Sequence, residues 1–64
     1  MIDKATRGVL AKIERYLRAT SMSATRFGYL SVGDPALVRD LRRGRVLRVA
    51  TAQKIQEFIE ETER

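Results

Sequence analysis

The chain has no cysteine, no histidine and no tryptophan, and a single proline among its 64 residues. Without cysteine no disulfide can brace the fold, which suits a reducing compartment. Without cysteine and histidine the usual zinc ligands are missing, so neither a metal nor a cofactor is expected. Acid–base catalysis would fall to eight Asp and Glu, none evidently paired on an apolar face. The four glycines are too scattered for a phosphate-cradling loop. An enzyme is not expected, and no small-molecule ligand is evident. No apolar run reaches the ~18 residues of a membrane span. Charges at Asp3, Lys4 and Arg7 break up the place where a signal peptide would carry its apolar stretch. The chain is expected to stay in the cytoplasm.

What remains is small and basic. A single domain, 1–64, buries only roughly 60% of the surface exposed by its unfolded chain, so good helix packing or oligomerisation must supply stability. The net charge is +5 and is unevenly spread. Residues 34–50 hold five arginines against two acids, whereas residues 51–64 hold four glutamates against two bases. Such a split points to a polyanionic partner for the body and centre of the chain.

Apolar spacing is helical almost throughout, with no repeats, and predicts an all-α fold of four helices at about 3–19, 23–31, 35–43 and 51–62. In the first, capped by Asp3, Ala5, Val9, Ile13, Tyr16 and Leu17 form one stripe, widened by Leu10. Gly8 marks either a close helix approach or a frayed turn. Ser23 caps the second helix, and Met22 with Phe27 has the spacing of a hydrophobic staple. Gly28 would let another helix pack close, and Phe27, Leu30 and Val32 are core candidates. Tyr29 is core or plain surface, or else a partly exposed phenol that hydrogen-bonds a phosphate. Asp34 followed by Pro35 reads as an N-cap and first helical residue. Leu37, Val38 and Leu41 have core spacing, and Gly44 ends that helix. Residues 45–49 are either a short extended segment or a loop that tucks Val46, Leu47 or Val49 inward. Thr51 is the expected cap of the last helix, whose stripe is Ala52, Ile55, Phe58, Ile59 and Thr62. Its glutamates lie at the wrong end for the helix dipole, so either the helix frays after about Glu61 or another chain's basic residues meet them.

Two helices joined at Val32-Gly33-Asp34, a small Gly28 in the first, Val38 ten residues later, then Leu41, a Gly44-Arg45 ending and a helix opened by Thr51 make a specific spacing. This pattern, from Ser21 to Ile59, resembles the helix-turn-helix of the lambda-repressor/Cro-like (XRE-type) regulators of phages and bacteria. The resemblance implies duplex DNA as partner, transcriptional regulation as function, and the helix 35–43 in the major groove. The chain departs from the family in having four helices rather than the usual five. It also carries Pro35, Ala36 and Leu37 where hydrogen-bonding side chains usually read bases.

Arginine is suited to such work, because its planar fork matches both phosphate and the guanine O6/N7 edge. Arg39 and Arg43 are the expected base contacts. Ala36 could touch a thymine methyl, and Asp40 could accept from cytosine or, more simply, pair with a neighbouring arginine. Arg26, Arg42, Arg45 and Arg48 are the expected phosphate contacts. A lone module of this size makes a small interface, so a homodimer on two half-sites is expected, with Phe58 or Ile59 as the candidate dimer interface and the nucleoid as its location. Two other functions fit the same residues. One is a protein-interaction module, an anti-activator or antitoxin-like adaptor that sets its basic face on an acidic partner. The other is a nucleic-acid binder without sequence preference.

Overall fold

The computed structural model describes residues 4–63, and the expected Asp3 cap lies outside them. Four helices follow one another: α1 (Lys4–Thr20), α2 (Ala24–Val32), α3 (Leu37–Arg42) and α4 (Val49–Thr62). No strand occurs among the described residues. The radius of gyration, 10.6 Å, matches the value of about 11 Å for a folded chain of this length. No helix among the described residues is long and apolar enough to cross a membrane.

α2 and α3 pack on each other, and α1 and α4 close the core around them. Ile13, Phe27, Leu37, Val38, Leu41 and Ile55 are fully buried. Burying each such side chain contributes about 1.5–3 kcal/mol against the ordering entropy. Three rings from three helices meet at the centre. Phe27 lies 5.5 Å from Tyr16 and 5.4 Å from Phe58, and Tyr16 lies 6.0 Å from Phe58, all tilted or edge-on. Those geometries suit the ring quadrupoles.

Phe58 and Ile59, the expected dimer interface, are therefore spent on the chain's own core: Ile59 is buried and Phe58 half-buried against the other two rings.

Three positions of the expected inner faces are exposed: Ala5, Leu30 and Thr62. Ala5 is exposed and Thr6 is buried in its place. The Thr6 hydroxyl accepts the amide of Leu47 at 3.1 Å, so a polar residue can face inward and hold the loop after α3. Leu30 is 45% exposed rather than core. The inner face of α2 is centred on Ala24, Phe27, Gly28 and Ser31, and at 3.6 residues per turn Leu30 points about 110° away. Ser31 can sit there because its hydroxyl bonds within the helix, to the Phe27 carbonyl at 2.8 Å. Tyr29 is surface, at 64% exposed.

The helix ends follow local chemistry. Thr20 bonds back to the Tyr16 carbonyl at 2.8 Å, and Ser21 turns the chain with φ 58°, the left-handed region. The Ser23 hydroxyl caps α2 by accepting the Arg26 amide at 3.1 Å. At the other end of α2, Gly33 adopts φ 72° and donates to the Tyr29 carbonyl.

α4 starts two residues before the expected Thr51 cap. Leu47 is pinned to Thr6 and packs on the core, so the chain enters the helix at once through extended Arg48, whose carbonyl accepts from Ala52 at 2.9 Å. No side chain caps this end. At its far end α4 stays helical to Thr62, whose hydroxyl donates to the Phe58 carbonyl at 2.8 Å.

Candidate nucleic-acid interface

The turn between α2 and α3 is built on a missing side chain. A Cβ on Gly28 would overlap the backbone carbonyl oxygen of Asp34 and stand 3.1 Å from the Leu37 Cβ. Glycine therefore lets the turn lie directly on α2, and the Asp34 amide donates to the Gly28 carbonyl at 3.1 Å. Gly8, in contrast, has nothing within 4 Å of a Cβ position, so it marks no close approach.

α3 is entered through Asp34, much as its sequence suggested, but by a tighter first turn. One carboxylate oxygen of Asp34 accepts the Ala36 amide at 3.0 Å, and its carbonyl accepts from Leu37 at 3.1 Å. Pro35 and Ala36 thus form an i→i+3 turn, and the regular helix runs from Leu37 to Arg42 rather than from 35 to 43. Gly44, at φ 111°, closes it. The Gly44 amide donates to Leu41 and the Arg45 amide to Asp40, the paired bonds of a Schellman ending. With Leu37, Val38 and Leu41 fully buried, the outward positions of this short helix are Arg39, Asp40 and Arg42.

Of the expected contact residues, two are held by carboxylates of the same chain. Arg42 donates through Nε and Nη2 to the two oxygens of Glu14 on α1, at 2.8 and 2.7 Å. Arg45 donates through Nη1 to Asp34 at 2.7 Å and lies 3.5 Å from Asp40. Asp40 therefore faces an arginine. The Arg42 hydrogen bond holds the Glu14 carboxyl below the usual glutamate range, aided by the Arg42 and Arg18 charges against partial desolvation. Asp34 is likewise held below the usual range by the Arg45 hydrogen bond, then by the Ala36 amide. The nearby charges of Arg45 and Arg39 act in the same direction.

The other four arginines are exposed and make no salt bridge among the described residues. Arg39 shares a shallow groove with Pro35, Ala36 and the start of α2 at Ala24 and Thr25. Arg43 lies with Arg7 along the cleft between α1 and α3. Arg26 stands on the first turn of α2, and Arg48 precedes α4. Residues 39 and 43, four apart, share one side of the α3 axis.

Glu14 and Thr6 were not singled out as functional or structural anchors in the sequence. Thr6 was findable, since Thr6, Val9, Ile13, Tyr16 and Leu17 keep helical spacing once a threonine is allowed inward. Glu14 was not, because its partner lies 28 residues away. Comparison with known proteins adds no relative: no family model, no curated protein and no solved structure matches this chain.

Proposed function

We propose that the chain binds duplex DNA with the face built on α3, as a small transcriptional regulator of the lambda-repressor/Cro-like kind. The observation that carries this reading is the division of labour among the arginines. Every carboxylate beside α3 is occupied, Glu14 by Arg42 and Asp34 with Asp40 by Arg45. Arg39 and Arg43 make no salt bridge among the described residues, and Arg26 and Arg48 stand likewise on the elements to either side. Such a face presents forks for phosphate and for guanine that no salt bridge ties down. Arg39 and Arg43, with the Ala36 methyl, are assigned to base edges, and Arg26 and Arg48 to phosphates. Arg42 and Arg45 are engaged by carboxylates of the same chain and so are withdrawn from this face. A homodimer on two half-sites about one helical turn apart completes the proposal, because a single module has few phosphate contacts.

The test is a gel-shift titration at increasing salt, with random duplexes and duplexes selected from a random pool. A regulator loses affinity steeply with salt yet keeps its preference for one sequence. Equal affinity for all duplexes makes the chain a non-specific binder. The exposed Tyr29 and Leu30 on α2 favour one rival, an adaptor for an acidic protein; absence of any DNA shift at physiological salt decides for it.

A further inference from the structure

α1 and α4 run side by side, N-terminus beside N-terminus, and leave a continuous groove between them that the DNA reading does not use. Its first part is apolar, floored by Val9, Leu47 and Ala52 and open at Gly8. Its second part is charged, with Lys12 and Arg15 on α1 facing Glu60 and Glu63 on α4. Lys12 and Gln56 belong to both parts, which makes them one groove. At its apolar mouth stands Val49, 75% exposed on the first turn of α4, with Lys4 beside it on α1.

Three features of this groove are unfavourable in an isolated chain. Val49 is an exposed valine at a helix start. The N-terminus of α4 has no side-chain cap, so its positive dipole end is unanswered. At the other end of α4, Glu60, Glu61 and Glu63 face their own helix's negative dipole end, with no ion pair among the described residues.

We infer that this α1–α4 groove is a self-association surface whose occupant is a second copy of the chain laid antiparallel along it. On α4 the stripe facing the groove is Val49, Gln53, Gln56, Glu60 and Glu63, in helical register. A two-fold axis between Gln53 and Gln56 sets the neutral glutamines against each other. It brings Glu60 of each copy to the first turn of α4 and to Lys4 in the other. Val49 is covered, the bare helix N-terminus receives a carboxylate, and Glu60 gains a cation. The same surface meets itself, as a two-fold contact requires. The complementary charges are both on this chain, which is why a second copy is the occupant. The proposal rests on the homodimer part of the reading above but not on DNA binding, and it leaves Arg26, Arg39 and Arg43 uncovered.

Val49 permits a test in which folding and association move in opposite directions. Val49→Glu puts a carboxylate at a helix N-terminus, which suits the monomer, but sets it against the partner's Glu60. Val49→Lys opposes the dipole of its own helix but meets that Glu60 as a counter-charge. Sedimentation equilibrium over micromolar to millimolar protein, with thermal melts at the dilute end, reads both effects. Val49→Glu is expected to raise the dimer dissociation constant by at least about tenfold with an unchanged or higher monomer melting temperature, and Val49→Lys to leave it unchanged or lower it. Lys4→Glu is expected to weaken association, and Lys4→Glu with Glu60→Lys to restore it. If the wild type dimerises and all these variants match it, the groove assignment is overturned while a homodimer stands. A wild type that stays monomeric throughout overturns both, and leaves DNA binding to be judged by its own gel shifts.

Discussion

Arg42 and Glu14 meet fork to fork, two parallel hydrogen bonds of 2.8 and 2.7 Å that tie α3 to α1 across 28 residues of chain. The pair is exposed, at 49% and 36% for the two side chains, so its stabilisation is modest, about 0.5 kcal/mol. Its larger effect is to hold Arg42 out of the open basic face.

Glu14→Gln is therefore expected to cost about 0.5 kcal/mol in urea unfolding while strengthening binding to any duplex DNA, because Arg42 is released. A drop in DNA affinity in titrations of this variant would mean that the latch is needed to present α3.

The same carboxylates set an acid response. Glu14 and Asp34 are held below their ordinary values of 4.5 and 3.8. For groups depressed in this direction the stabilisation is full above the unfolded value and is lost as pH falls through the folded one. Melting temperature should accordingly be flat at neutral pH and fall only below the ordinary carboxylate range. Glu14→Gln should show a shallower acid limb, and an unchanged limb would remove Glu14 from the account.

One substitution made at two glycines should have opposite signs. Gly8→Ala meets open space within a helix and should stabilise by about 0.5–1 kcal/mol. Gly28→Ala drives a methyl into the Asp34 carbonyl, a backbone atom that yields only if the turn moves. It should cost about 1–3 kcal/mol. Denaturant melts of the two variants decide this, and equal signs would refute the close packing of the turn on α2.

Thr6→Val keeps the shape but leaves the partly buried Leu47 amide without its acceptor, at a cost of about 1–3 kcal/mol. Thr6→Ser, which keeps the hydroxyl, should recover the part due to the hydrogen bond. Should both variants lose the same stability in parallel melts, the methyl and not the hydroxyl is what matters.

On DNA, Arg39→Ala is expected to cost about 1–3 kcal/mol and relax preference at one base pair. Arg26→Ala should weaken all duplexes alike and lower the salt slope by about one. Gel shifts with selected and random duplexes separate the two. An Arg39→Ala protein with its sequence preference intact would refute the assignment of that side chain to the groove.

Much of this structure is legible in the sequence alone. The cap at Ser23, the Asp34 turn that leads into α3, the stop at Gly44 and most of the stripes of α1, α3 and α4 are written in near neighbours, whose chemistry acts over a single turn. The errors came where a distant contact decides. Thr51 lost its role as a cap because Leu47 is anchored to Thr6, which lies 41 residues earlier. Leu30 faces outward because Gly28, serving the turn, fixes which side of α2 points in. Arg42 reads as a phosphate contact because its carboxylate, Glu14, comes from α1, whereas the pairing of Asp40 with a neighbouring arginine, Arg45, is legible locally. Phe58 and Ile59 lie on the expected apolar stripe of α4. Their use by the three-ring centre and the core, through contacts with α1 and α2, is what a reading of α4 alone misses when it offers them to a dimer.

The brevity of α3 has a further consequence. Six residues do not make a stable helix in isolation, so its geometry is imposed from outside, by Asp34 and Pro35 before it, Gly44 after it and three buried aliphatics beneath. None of those residues is Arg39 or Arg43. The scaffold and the outward arginines are thus separate inventories. Positions 39 and 43 can be rewritten as a cassette, because what they present is independent of what keeps the helix in place.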